Sequence, residues 1–407
     1  MDLLGAIKEA IESSESYFFL LELAVIVLAI KLFGHVSVRL GQPSVFGKLL
    51  AGIILGPSLI NFIHPSPLIS ELAEVGVILL MFLAGLETDI KEFSKSAFAS
   101  TMVAVGGVVL PFLGGMGLAL VFDYEMTTAV FIGTLLVATS VSISVQTLRE
   151  LGKLRSKEGV TILGAAVLDD VLGVIVLSAV LGFTAGGTTG ADVSGMASLA
   201  ILLVKIIVFF GIAIALGYFV LPRFIRFLSQ LQVTQVLLAA AIISALLFAY
   251  LGELFGVAGI VGSYVCGLML GMTSFRDELI HKVEGFSFPF FVPMFFFNIG
   301  LIANFREMDP GILLFAVLLT LVAIAGKVVG CGIGALMSRF NLRSSLIVGC
   351  GMIARGEVGL IIAMIGIDRG IINNDVFGAA IIVVVVSTLV TPPLLKLVIP
   401  KKEPVVE

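Results

Sequence analysis

The sequence is short of charge. Lysine, arginine, aspartate and glutamate make up 13% of its 407 residues, while 59% are hydrophobic and the mean hydropathy is +1.19. An ordinary soluble domain is about a quarter charged, and so few charges cannot cover the surface of a soluble fold this long. A cytosolic enzyme, a nucleic-acid binder and a disordered scaffold are therefore excluded, and a polytopic protein with the lipid bilayer as its solvent remains. A basic excess is also missing: the net charge of −4 offers nothing to a polyanion. Cysteine is scarce, and Cys266, Cys331 and Cys350 lie far apart in apolar runs. They read as small buried hydrophobes, not as a disulfide framework or metal site.

Several motifs are absent too. No G-x-x-x-x-G-K-[ST] sequence supports a nucleotide-driven pump, and no H-E-x-x-H, Cys/His or Ser/His/Asp arrangement supports an enzyme. No cofactor is expected. The first sixteen residues carry Asp2, Lys8, Glu9, Glu12 and Glu15 without a basic n-region, so they read as a surface amphipathic segment, not a signal peptide. No soluble domain is expected after the last apolar run.

What is present is a series of apolar runs. With about 20 residues needed per bilayer crossing, thirteen helices are expected, centred near residues 27, 53, 79, 109, 138, 171, 211, 242, 265, 296, 324, 354 and 386. Pro289 and Pro293 predict a kinked or broken tenth span. Residues 182–195, rich in Gly, Thr and Ser, predict a polar loop between two halves. The G-x-x-x-G pairs Gly52/Gly56, Gly267/Gly271 and Gly330/Gly334 predict close helix packing.

Thirteen spans with the N-terminus outside place Arg39, Lys91, Lys95, Arg149, Lys153, Arg155, Lys157, Arg223, Arg226, Arg276, Lys282, Arg339, Arg343, Lys396, Lys401 and Lys402 inside. Only Lys8, Arg306 and Arg369 fall outside, while Lys31, Lys48, Lys205, Lys327 and Arg355 fall within spans. This asymmetry is the positive-inside rule, and it places the C-terminus in the cytoplasm.

Charges inside a bilayer cost at least about 2.5–3.5 kcal/mol each and mark function by default. Asp169 and Asp170 stand mid-span in helix six, pointing about 100° apart, so one can meet a fixed cation while the other faces a water-filled cavity. The plainer alternative is a helix-capping pair. Lys327 in helix eleven needs a counter-ion, and Asp169 is the obvious one, unless the lysine snorkels to an interface. Arg355 and Glu357 sit mid-span in helix twelve, where Gly351, Gly356 and Gly359 weaken the helix; the alternative is a pair that ties neighbouring helices together. Thr139, Ser140, Ser142 and Ser144 in helix five are able to satisfy freed backbone groups or help coordinate a small cation, although hydroxyls are common in single spans. Glu71, Glu74, Glu87 and Asp89 read as interfacial. His35, His64 and His281 fall at loops, and His281 lies in a charged cluster that suits a pH sensor.

Helices five and six close a first six-helix unit, residues 1–158 with 159–184. Helices twelve and thirteen close a second, residues 232–400, and helix seven, residues 197–229, links the two. Six-helix units separated by one helix lie inverted in the membrane, and broken helices in matching positions point to a midplane transport site.

With these residues in place, the chain resembles the monovalent cation:proton antiporter superfamily, in its NapA/Kef-type branch and nearest to NapA-type sodium/proton antiporters. The resemblance rests on GIILGP at 52–57, FLAGLE at 82–87, ATSVSISV at 138–145, LDDV at 168–171, FFFNIG at 295–300, Lys327 and ARGEVGL at 354–360. It implies an all-α fold of two inverted six-helix repeats with crossing broken helices. A mobile core of helices 3–6 and 10–13 would move against a dimer domain formed by the rest, in a homodimer at the cell membrane. It also implies sodium (or lithium) exchange for protons by an elevator-like movement. Asp170 matches the ion- and proton-binding aspartate, Asp169 its acidic neighbour with a second, weaker claim on Na+, and Lys327 the lysine paired with it. Thr139, Ser140, Arg355 and Glu357 match the two helix breaks. Asp169, where potassium-efflux relatives usually carry Gln, and the lack of a C-terminal nucleotide-binding domain favour sodium over potassium. Asn298 departs from the Ser common in relatives. The rival readings are a potassium/proton antiporter, a sodium-coupled solute symporter and a non-transporting sensor or channel-like protein.

Overall fold

The computed structural model describes residues 18–185, 193–228, 230–302 and 312–399, and among them every regular element is a helix. In chain order these are α1 (Phe18–Arg39), α2 (Ser44–Leu55), α3 (Pro67–Glu87), α4 (Ile90–Val121), α5 (Met126–Leu135), α6 (Val141–Glu150), α7 (Lys157–Ala185) and α8 (Val193–Ala215). A π-helical turn, Leu216–Val220, carries α8 into α9 (Leu221–Leu228). Then follow α10 (Val236–Leu254), α11 (Gly259–Leu270), α12 (Arg276–Ser287), α13 (Phe291–Ile302), α14 (Leu313–Met337), α15 (Leu342–Gly351), α16 (Glu357–Asp368) and α17 (Asn374–Val398).

Local chemistry sets many of these ends. Ser66 caps α3 through Ile69 N–H, with Pro67 at the first helical position, where its missing N–H costs nothing. Asp89, Asn341 and Asn373 cap α4, α15 and α17 with side-chain oxygens. α2 is different: its N-cap is Pro43, which has no side-chain acceptor to offer.

Among the described residues, eight helices are long and apolar enough to cross a membrane: α1, α3, α4, α7, the α8–α9 rod, α10, α14 and α17. The bent pair α12–α13, turned by 48° where Pro289 interrupts it, makes up to nine. Other expected spans are shorter helices: α2 and α11, and the two halves on either side of each interruption, α5 with α6 and α15 with α16. The expected 182–195 loop is corrected. α7 runs to Ala185 and α8 begins at Val193, because the apolar pattern outlasts the glycines, while 186–192 lie outside the described residues. The expected N-terminal surface segment, residues 1–16, lies outside them as well.

The outer helices leave apolar side chains uncovered, as Leu28 and Leu32 on α1 and Val204 and Ile207 on α8 do. Such a surface is stable against lipid and not against water. The chain is thus a multi-pass membrane protein, and its interior is drawn together by small residues. A Cβ on Gly330 of α14 would collide with the Gly106 carbonyl of α4, and one on Gly334 with that of Met102. Gly52 meets the Phe297 carbonyl and Gly267 that of Phe82 with equally little room. All three G-x-x-x-G pairs therefore mark helix-to-helix backbone approach.

Candidate functional site

Two interrupted helices meet in the interior. α5 gives way at residues 136–140 and α15 at 352–356, each closing in a turn and then running irregularly, over 138–140 and 353–356, before α6 and α16 begin. They touch directly: Ser140 N–H donates to the Ala354 carbonyl at 2.7 Å, and Ser144 Oγ donates to the Gly351 carbonyl. Gly356 is required at the contact, since a Cβ there would strike the Ser140 side chain. The crossing brings together two helix C-termini with negative dipole ends and two N-termini with positive ones.

Arg355 answers the negative ends. Its guanidinium, fully buried, donates to the carbonyls of Leu136 at 2.8 Å, Ile353 at 3.0 Å and Ala323 at 3.3 Å. Leu136 and Ile353 lie just past the ends of α5 and α15, so one cation serves both. Its own carbonyl accepts from Thr388 Oγ1 of α17. Glu357 opens α16, but its side chain lies outside the described ones. The two terminal nitrogens of Arg355 thus serve carbonyls at both breaks and one in α14, while Nε is buried without a partner.

Beside the crossing stand the two aspartates of α7. Lys327 reaches across from α14 and places Nζ 3.1 Å from both Asp169 carboxylate oxygens, with neither side chain accessible. Lys327 therefore does not snorkel, and the pair does not cap a helix, because α7 continues on both sides. Asp170, on an adjacent face, is 8% exposed. The hydroxyls divide between two states. Ser144 alone satisfies a backbone group of the other break, while Thr139 Oγ1, Ser140 Oγ and Ser142 Oγ are buried without a hydrogen-bond partner. Oxygens left in this state are the donor type that hard cations prefer.

Two cavities lie along the neighbouring helices, one beside α6 and α12 and the other beside α3, α11, α13 and α16. One, of about 740 Å³, is lined by Lys31, Gln146, Arg149, Glu150, His281 and Glu284 among others. The other, of about 320 Å³, is lined by Glu74, Glu253, Phe295, Asn298, Val358 and Ile361 among others, and Asn298 Oδ1 is buried there unpaired.

The sequence matches the transmembrane sodium/hydrogen exchanger model over residues 23–399. The chain belongs to that family. Among its relatives, a Bacillus cereus protein named Na(+)/H(+)-K(+) antiporter GerN is 46% identical over 93% of this chain and 95% of that one. An Enterococcus hirae Na(+)/H(+) antiporter is 38% identical over 92% of this chain and 96% of its own length. The fold matches that of the sodium proton antiporter MjNhaP1 from Methanocaldococcus jannaschii, with a TM-score of 0.71 over 97% of this chain and 96% of that one, at 18% identity. Members of this family are transporters, not enzymes.

A second charge cluster was not legible in the sequence. Arg149, at the end of α6, pairs with Glu87 of α3 at 2.9 Å and with Glu284 of α12, and lies 4.6 Å over the Phe288 ring. Arg276 donates to the carbonyls of Leu86 and Glu87 at the end of α3. Glu87 is thus buried and paired at the end of α3. Glu150 reaches α2, accepting from Ser44 N–H at 2.6 Å and from the Ser44 hydroxyl, with Lys48 Nζ at 3.8 Å. A carboxylate 106 positions away supplies the cap that Pro43 lacks.

Proposed function

We propose that this protein exchanges sodium, or lithium, for protons across the cell membrane. The observation that carries the reading is the buried Asp169–Lys327 pair beside Asp170, at a crossing of two broken helices rich in unpartnered oxygens. A sodium ion and an ammonium cannot share one buried carboxylate without strong repulsion. Sodium that engages Asp170, with Asp169 as a second ligand, therefore displaces Lys327 and favours release of its proton as well as that of Asp170. Protons restore both groups on the other side. Either load neutralises the carboxylates, which lowers the cost of carrying them past an apolar barrier. The names of the antiporter relatives support the same exchange.

The reading includes thirteen spans, with α5–α6, α8–α9, α12–α13 and α15–α16 each counted as one, and two inverted repeats. Paired seams support this arrangement. Gly52 of α2 packs on the F-x-x-G run Phe297–Gly300 of α13, and Gly267 of α11 packs on the F-x-x-G run Phe82–Gly85 of α3. Each seam thus joins the second span of one unit to the third of the other. In this scheme the basic face that carries Arg149 and Lys153 is cytoplasmic and the N-terminus is outside. A core of spans 3–6 and 10–13 moves as an elevator against the remaining spans, which form the dimer contact.

Proteoliposomes test the reading. Sodium-driven proton flux is expected from the wild type and its loss from Asp170→Asn; transport retained in that variant refutes the assignment. A second reading, exchange that includes potassium, is favoured by the name of GerN, and the same assay run with K+ decides it.

A further inference from the structure

One run of side chains outside the aspartate site is left with acceptors and nothing to accept. α6 buries Ser142, Ser144, Gln146 and Thr147. Ser144 donates to the Gly351 carbonyl and Thr147 to the Ile143 carbonyl one turn back, the ordinary way for a helix to quiet a hydroxyl. Ser142 Oγ and Gln146 Oε1 have no partner, and neither does Thr139 Oγ1 in the break just before α6. Gln146 Nε2 donates to Glu150 Oε1 at 2.9 Å. An amide oxygen cannot face a carboxylate, so this bond fixes the orientation and turns Oε1 away from Glu150.

Ser142, Gln146 and Glu150 are spaced by four and share one face of α6, rising about 6 Å per step. Gln146 and Glu150 line the larger cavity, and Thr139 lies at the crossing, so the face joins one to the other. Hard cations bond oxygen at about 2.3–2.6 Å, which makes steps of about 6 Å successive stations, not one cage. Arg149 is held between Glu87 and Glu284, so the cation a sodium ion must displace at the Glu150 carboxylate is Lys48, whose Nζ stands 3.8 Å from Oε1. A neutral amide oxygen also suits a station that an ion must leave again.

We propose that this face of α6 is the cytoplasmic half of the cation path, with Gln146 Oε1 receiving Na+ from the Glu150 carboxylate and passing it to Ser142 and Thr139. The proposal rests on the sodium/proton reading above.

The test is oriented proteoliposomes in which the apparent KM for Na+ is measured at each face separately, for wild type, Gln146→Leu, Gln146→Glu and Ser142→Ala. Gln146→Leu is expected to raise the KM at the cytoplasmic face about tenfold, equivalent to about 1.4 kcal/mol, with less than a twofold change at the other face. Ser142→Ala is expected to move it in the same direction, while Gln146→Glu, which keeps an oxygen in place, stays at or below the wild-type KM. An unchanged cytoplasmic KM in Gln146→Leu, or an equal rise at both faces, overturns the proposal. If Gln146→Leu fails to fold, an unchanged KM in Ser142→Ala overturns it as well. A wild type inactive with Na+ defeats the antiport reading itself, and is distinguished by appearing without any substitution.

Discussion

Lys327 stands equidistant from the two carboxylate oxygens of Asp169, 3.1 Å from each, in a site with no access to solvent. Neither oxygen is favoured, and the buried ammonium answers the buried carboxylate directly. Removing one partner strands the other as a buried charge, which costs about 3–5 kcal/mol unless it takes or loses a proton. Lys327→Ala is therefore expected to lower the melting temperature and to shift the pH profile of transport, with a smaller effect on the order of preference among cations. An unchanged pH profile would count against the role assigned to Lys327.

Arg355 offers a contrast, because its donors meet carbonyls of three segments. Arg355→Met takes the side-chain donor from the Leu136 and Ile353 carbonyls at the breaks, at about 1–3 kcal/mol each. Arg355→Lys keeps the charge but not the planar fork. Both variants are expected to melt below wild type, Met further than Lys, as measured by thermal denaturation in detergent. Equal melting of all three would show that the carbonyls are served without the fork.

The α4–α14 seam makes a steric prediction. Gly330→Ala forces the Gly106 carbonyl away and separates the helix that carries Lys327 from its neighbour, a change of the overpacking type that costs about 1–3 kcal/mol. Gly117→Ala on the same α4 meets nothing within 4 Å and serves as the control. Thermal melts of the two variants should differ clearly, with Gly117→Ala at or above wild type.

Asp89 makes a pH prediction. The N–H groups of Lys91, first, and Glu92 hold its carboxyl below the usual range as it caps α4. A lowered folded pKa means that the cap stabilises fully above the unfolded value, about pH 4, and that this contribution is lost as pH falls through the folded one. The difference in melting temperature between wild type and Asp89→Ala should accordingly be present at neutral pH and close below pH 4. A difference that persists there would assign it to packing instead.

Legibility followed the cost of misplacement. Asp169, Asp170, Lys327 and Arg355 were identifiable because a charge inside an apolar run has no cheap explanation, and the breaks were marked by Gly351, Gly356 and the Thr139–Ser140 pair. Glu87, Arg149 and Glu284 were not, since each lies at a helix end where a solvated charge is the ordinary case. The bond from Glu150 to Ser44 was hidden for another reason: the cap of α2 comes from a residue 106 positions along the chain, and Pro43 gives no sign of it.

The sequence by itself determined the membrane environment, the helical content and the identity of the buried charges, because apolar length and the price of burying an ion are local properties of the chain. Only the tertiary structure decided which charges are closed into pairs and which oxygens are left open. That Lys327 takes both oxygens of Asp169, while Ser142 and Gln146 on α6 keep acceptors without donors, depends on how helices distant in sequence approach one another. Hydrogen bonds form or fail over a few tenths of an ångström, a precision set by the glycine seams that bring the backbones together and carried by no single segment of the sequence.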